Sequence, residues 1–246
     1  METSFGLAHM WAQGDTASHA VAILLLLMSL ASWSIIFLKA WRVARLKRAS
    51  GALDEFWDAP VLREGVALLE QEAADSPLAA LARQGEQATE HYDRHASSGM
   101  GGALERGEFL TRALRQSIVR SQAKVESGLT LLASVGSTAP FVGLFGTVWG
   151  IYHALVSISI SGQASLDKVA GPVGEALIMT AAGLSVAIPA VLAYNAFTRG
   201  NRILLAELDA FAHDLHAFLI TGARMPSHVR AAPVPAVAQV QLQGAA

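Results

Sequence analysis

Three long apolar runs dominate the pattern of the chain. The first, Ala20 to Leu38, holds no charged residue. At ~1.5 Å per residue, a helix of that length nearly crosses a hydrocarbon core of about 30 Å. The second runs from about Leu129 to Ile160. It mixes apolar residues with small and hydroxyl-bearing ones, including Ser134, Gly136, Ser137, Thr138, Gly143, Gly146, Thr147 and Gly150. The third runs from about Pro172 to Phe197 and contains Glu175, Thr180, Gly183, Ser185 and Pro189. A polar segment at 161–171 separates the last two, which predicts an antiparallel helical hairpin. The pattern predicts an all-α membrane protein with transmembrane helices at 20–38, 129–160 and 172–197.

A signal peptide is the competing reading of the first run. It needs a basic leader and a small-residue cleavage site. Residues 1–19 contain no Lys or Arg, and the bases follow the run instead, from Lys39 and Arg42 to Arg48. That order predicts a retained helix. Basic residues close to the membrane mark the cytoplasmic side. They cluster after the first run, before the second (Arg112, Arg115, Arg120, Lys124) and after the third (Arg199, Arg202). The 161–171 turn has only Lys168. The expected layout is a periplasmic N-terminus at 1–19, a cytoplasmic helical domain at 39–128, a periplasmic turn at 161–171, and a cytoplasmic helix at 198–222.

Composition agrees with a lipid-exposed surface. Charged residues make up 15% of 246, and mean hydropathy is +0.39. An average soluble protein carries about 25% charged residues. A net charge of −2 gives no basic excess for nucleic acid. The chain has no cysteine, so disulfides, thiolate catalysis and Cys-type metal sites are excluded.

Residues 41–128 read as helical throughout. Ser76 followed by Pro77 is an N-cap and first-turn pair, and Ser97 to Gly102 is a breaker. From Ala103 no proline occurs before Pro140, so one helix is expected to run into the second span. Pro172 to Ile220 likewise reads as one helix, about 75 Å long. Leu204, Leu208, Phe211, Leu215 and Phe218 form a heptad-like seam over two repeats. Packing on the other cytoplasmic helices is the preferred reading over a coiled coil. After Gly222 the Pro/Ala/Val-rich tail, 223–246, has no period and reads as disordered.

Glu175 carries the most weight as a site. A carboxylate in an apolar span is costly, and such acids are usually functional. A proton or cation site facing a polar cavity is preferred over a Glu that merely reaches water at the outer mouth. Thr147 and Thr180 fall at similar depth on the two hairpin arms. A hydroxyl there can hold water or a partner carboxyl, although spacing alone favours simple bonding to the i−4 carbonyl. Gly143, Gly146 and Gly150 make a small-residue face for close helix contact, within the chain or in a larger assembly. Pro140 and Pro189 free carbonyls that neighbours must satisfy. Lys39, Arg42, Arg199 and Arg202 read as membrane-interface bases. The glycines fit no nucleotide motif. His91/His95 and His213/His216 read as solvated helix histidines, with no metal and no other cofactor implied. No catalytic set is present, so an enzyme is not expected.

Two stretches carry a resemblance. Ser137 to Ile151 (STAPFVGLFGTVWGI) and Val169 to Asn195, which contains GPVGEALIMT, resemble the ExbB/TolQ branch of the MotA/TolQ/ExbB proton-channel family. Chain length and three spans fit that branch, and the flagellar stators of the wider family have four. The ExbB-type members are the most similar. The resemblance implies a pentamer in the bacterial inner membrane. The pentamer would surround helices of an ExbD-type partner and act with a TonB-type protein. Proton-motive force would then energise outer-membrane uptake of iron–siderophore complexes, haem or cobalamin. The resemblance also implies proton-pathway roles for Thr147, Glu175 and Thr180, with the ion-carrying Asp on the partner. The alternatives are a TolQ-type envelope subunit and a non-conducting membrane scaffold.

Overall fold

The computed structural model describes residues 15–49, 51–95, 105–161 and 166–223. They form α1 (Thr16–Ala49), α2 (Ala52–Asp58), α3 (Leu62–Ala73), α4 (Pro77–His95), α5 (Arg106–Glu126), α6 (Leu129–Ser161) and α7 (Leu166–Thr221). No strand occurs among the described residues. α1, α6 and the first part of α7 are long and apolar enough to cross a membrane. The protein is an all-α membrane protein with three transmembrane helices.

α6 pairs with the first part of α7 as the expected hairpin, and α1 packs along both. Their shared core contains Val21, Leu25, Leu132, Val135, Ala139, Met179 and Ala190. The outward positions remain apolar. Leu26, Leu30, Phe37, Phe141 and Leu192 are all exposed. Lipid in place of water makes that surface stable.

A second core lies outside the membrane. The far half of α7 places Leu208, Phe211, Leu215 and Leu219 against Phe56, Leu69, Leu81, Leu110 and Leu114. The seam at 204–218 therefore packs on neighbouring helices of the same chain, as preferred. α4 starts where the Ser-Pro pair sits. The Ser76 hydroxyl, itself buried, accepts the Ala79 N–H at 3.0 Å, which satisfies one of the donors left free at a helix start.

Three helix boundaries differ from the sequence reading. Residues 41–128 are not helical throughout. Extended backbone at Ala59 and Val61 separates α2 from α3, whereas the break at 74–76 before α4 is the one the Ser76-Pro77 pair predicts. No single helix runs from Ala103 into the second span. Ser127 leaves helical geometry with ψ 134°, and Gly128 adopts φ 81°. Glycine takes that conformation without the steric cost a Cβ would bring. Finally, α7 begins at Leu166, inside the expected 161–171 turn, and stays helical through Pro172 and Pro189 for 56 residues. Proline removes one ladder bond, and packing of the surrounding helix outweighs that loss. Residues 1–14, the breaker at 97–102, residues 162–165 of the turn and the tail beyond Ala223 lie outside the described residues.

Candidate functional site between the hairpin helices

The two hairpin helices touch backbone to backbone. A Cβ built on Gly143 would lie 2.5 Å from the Met179 carbonyl oxygen, and one on Gly183 would lie 2.6 Å from that of Ala139. Gly146 meets Val21 and Met179, and Gly150 meets Ala176. The small-residue face of α6 is thus spent within the chain, mostly on α7. Pro140 and Pro189 lie inside helices that continue past them.

This contact encloses Thr147, which is 6% exposed. Its Oγ1 is 3.1 Å from the Gly143 carbonyl oxygen on its own helix and 3.0 Å from that of Ala176 on α7. One hydroxyl proton serves either carbonyl. The Thr180 hydroxyl is also within hydrogen-bond reach of the Thr147 hydroxyl. Back-bonding of the ordinary kind is therefore present at Thr147, but a cross-helix polar node accompanies it. Thr180 is only partly buried, so the node has an open side. Glu175 is half-buried on α7. It precedes Thr180 by five residues, about 140° round the helix, so the two do not share one helical line.

A second polar group lies beyond Thr147 and was not visible in the sequence. Asp15 precedes α1, and its Oδ1 accepts the Ser18 N–H at 2.9 Å. Its Oδ2 accepts the indole N–H of Trp149 and lies 3.7 Å from His153 Nε2. Asp15 and Trp149 are 134 residues apart, beyond any local spacing rule. Burial alone would raise the Asp15 pKa. The Trp149 and Ser18 hydrogen bonds and the His153 ring outweigh it, and bring the carboxyl from its ordinary 3.8 to about 2. A depressed carboxylate pKa gives stability that is present above the unfolded value and lost as pH falls through the folded one. In detergent melts, the wild-type advantage over Asp15→Asn is expected to stay level at neutral pH. It should shrink as pH falls from the ordinary 3.8 toward about 2. A gap that closes already between pH ~7 and ~5 would contradict the assignment.

The basic residues divide. Arg42, Arg199 and Arg202 are exposed. Lys39 turns inward instead. It is 8% exposed, and its Nζ donates to the Val125 carbonyl at 2.6 Å. Of the histidines, His91 and His95 stack at 4.5 Å, and His216 Nε2 reaches Thr111 Oγ1 at 3.0 Å.

Residues 73–210 match the MotA/TolQ/ExbB proton channel family. The chain belongs to that family, a family of channel and transport subunits and not of enzymes. The chain is 51% identical over 216 residues to the biopolymer transport protein ExbB of Xanthomonas campestris pv. campestris, covering 86% of this chain and 85% of that protein. It is 46% identical to the ExbB of Neisseria meningitidis serogroup A, over 84% of this chain and 94% of that protein. The Tol-Pal system protein TolQ of Pseudomonas aeruginosa is 35% identical, over 85% and 92%.

Proposed function

We propose that this chain is the proton-channel subunit of an inner-membrane complex that uses proton-motive force to energise outer-membrane nutrient uptake. The observation that carries the reading is the polar node at Thr147 and Thr180, set in a hairpin that is otherwise apolar. In the proposed assembly, five copies surround helices of an ExbD-type partner, and a TonB-type protein completes the complex. The N-terminus is periplasmic, and the second core and the C-terminus are cytoplasmic. The open side of Thr180 faces the partner helices, whose carboxyl carries the ion, and the half-buried Glu175, about 140° further round α7, serves the proton path from another side of that helix. A proton crossing 100 mV releases about 2.3 kcal/mol. Protonating the partner carboxyl removes its charge, lowers the cost of leaving a hydroxyl partner and lets its helix move in the ring.

The identity to the ExbB proteins of Xanthomonas and Neisseria, 46–51% over most of the chain against 35% for the Pseudomonas aeruginosa TolQ, supports the ExbB-type role, while the ExbB of Pseudomonas putida at 33% keeps the Tol-Pal role as the second reading. The nutrients fitting that role are iron–siderophore complexes, haem and cobalamin. Vesicles holding this chain and its co-purified partner should take up protons when a potential is imposed. No uptake above empty vesicles would leave only the scaffold reading. Deletion should abolish siderophore-dependent growth, whereas a leaky envelope with normal siderophore growth would point to the Tol-Pal role.

A further inference from the structure

We propose that Lys39 and Asn201 are positioning residues that set the bend between α5 and α6 by sharing one carbonyl at the break. The last four carbonyls of a helix have no partner within it. Val125 owns one of these, because α5 stops at Glu126. Its oxygen accepts Lys39 Nζ at 2.6 Å and Asn201 Nδ2 at 2.9 Å. One donor comes from α1 and the other from α7, so all three membrane-crossing parts of the chain meet at this turn.

The choice of residue types fits the place. A helix C-terminus carries partial negative charge and favours a cation. Lys39 supplies that cation while nearly buried, with Nζ 5.9 Å from the centre of the Phe197 ring, a cation–π distance. Such burial is costly for an ammonium without acceptors. The orphan carbonyl is the acceptor, which explains a lysine on the packed stripe of α1. The glycine side of the break is held as well. Ile35, one turn before Lys39, lies 3.3 Å from where a Cβ of Gly128 would sit. Ser127 Oγ closes the end of α5 on the Lys124 carbonyl at 2.8 Å.

Two backbone residues, one of them a glycine with φ 81°, do not fix an angle between helices. The side-chain donors do. Because both use one acceptor, either alone leaves Val125 satisfied, and losing both leaves its carbonyl bare. That redundancy separates this role from ordinary packing, where effects of two distant changes add. The inference holds whatever ion or partner the assembly uses.

The test uses the full chain in detergent, spin-labelled at Arg115→Cys and Leu144→Cys, with labelled copies diluted into unlabelled ones. The chain has no cysteine of its own. Wild type, Lys39→Met and Asn201→Leu are expected to give one narrow distance distribution. The double variant should broaden it, and Lys39→Arg in the Asn201→Leu background should keep it narrow. Hydrogen exchange gives the second readout, with amides of 129–133 exchanging about tenfold faster in the double variant than the product of the single effects. A double variant as narrow as wild type, or exchange effects that merely multiply, would overturn the proposal. Should the double variant fail to accumulate, Lys39→Arg and Lys39→Gln are compared in the Asn201→Leu background. Exchange at 129–133 near wild type for arginine and faster for glutamine, whose side chain is one bond shorter than that of lysine, supports the role, and equal exchange in the two sinks it.

Discussion

Gly143→Ala is expected to destabilise the membrane hairpin, although alanine is the better helix former. In an open helix the change would gain about 0.8–1.0 kcal/mol. Here the new methyl carbon lands 2.5 Å from the Met179 carbonyl oxygen and 3.1 Å from the Gly183 Cα. Both are backbone atoms, so no rotamer change relieves the contact and the helices must separate. Overpacking a tight interior costs about 1–3 kcal/mol, occasionally more, and here it outweighs the propensity gain. Gly143→Leu should prevent stable accumulation altogether. Gly200→Ala is the control, because nothing lies within 4 Å of its Cβ position. It should leave the thermal midpoint unchanged or slightly raised. A Gly143→Ala midpoint equal to that of Gly200→Ala would refute the close contact.

Thr147→Val should separate stability from transport. Valine keeps the shape and removes the hydroxyl that bridges to Ala176 and Thr180. Hydrogen bonds between membrane helices average only ≈ 0.6 kcal/mol, so the midpoint in detergent should fall by a few degrees at most. Proton uptake with the partner is expected to fall about tenfold or more, because a valine offers a proton no acceptor or donor. Thr147→Ser restores the hydroxyl and should recover most of the uptake. Undiminished uptake in the valine variant would reduce the threonine pair to a structural fastening and count against its place in the ion path.

Apolar length made the three spans legible, two of them charge-free and the third interrupted only by Glu175, and the lack of proline from Arg199 to Ile220 made the long α7 legible. The same logic failed at Ser127 and Gly128. No proline marks that point, and one glycine between apolar runs is a weak signal beside a continuous helical pattern. The break is set by contacts from α1 and α7 that no local window contains. Pro172 misled in the other direction, since it suggested a start where the helix is already under way. Lys39 was countable as one base among five but not as the one that turns in. The signal was there in its phase. Val21 and Lys39 are 18 residues apart, five full turns, and Val21, Leu25, Ser32 and Lys39 share the packed stripe of α1. Thr147 and Thr180 were named from composition and resemblance, and their mutual contact fits their matched depth. Asp15 with Trp149 was beyond reach, because neither residue is unusual where it stands.

The unbroken course of α7 has a mechanical consequence. Its 56 residues make a rod of about 84 Å, and Thr180 lies about 60 Å along it from the foot, where Leu215 and Leu219 pack. A pivot of about 5° at Thr180 sweeps that foot through roughly 5 Å, about one helical pitch. Small adjustments around a hydroxyl pair are therefore delivered far away as displacements large enough to re-seat side chains, by leverage alone.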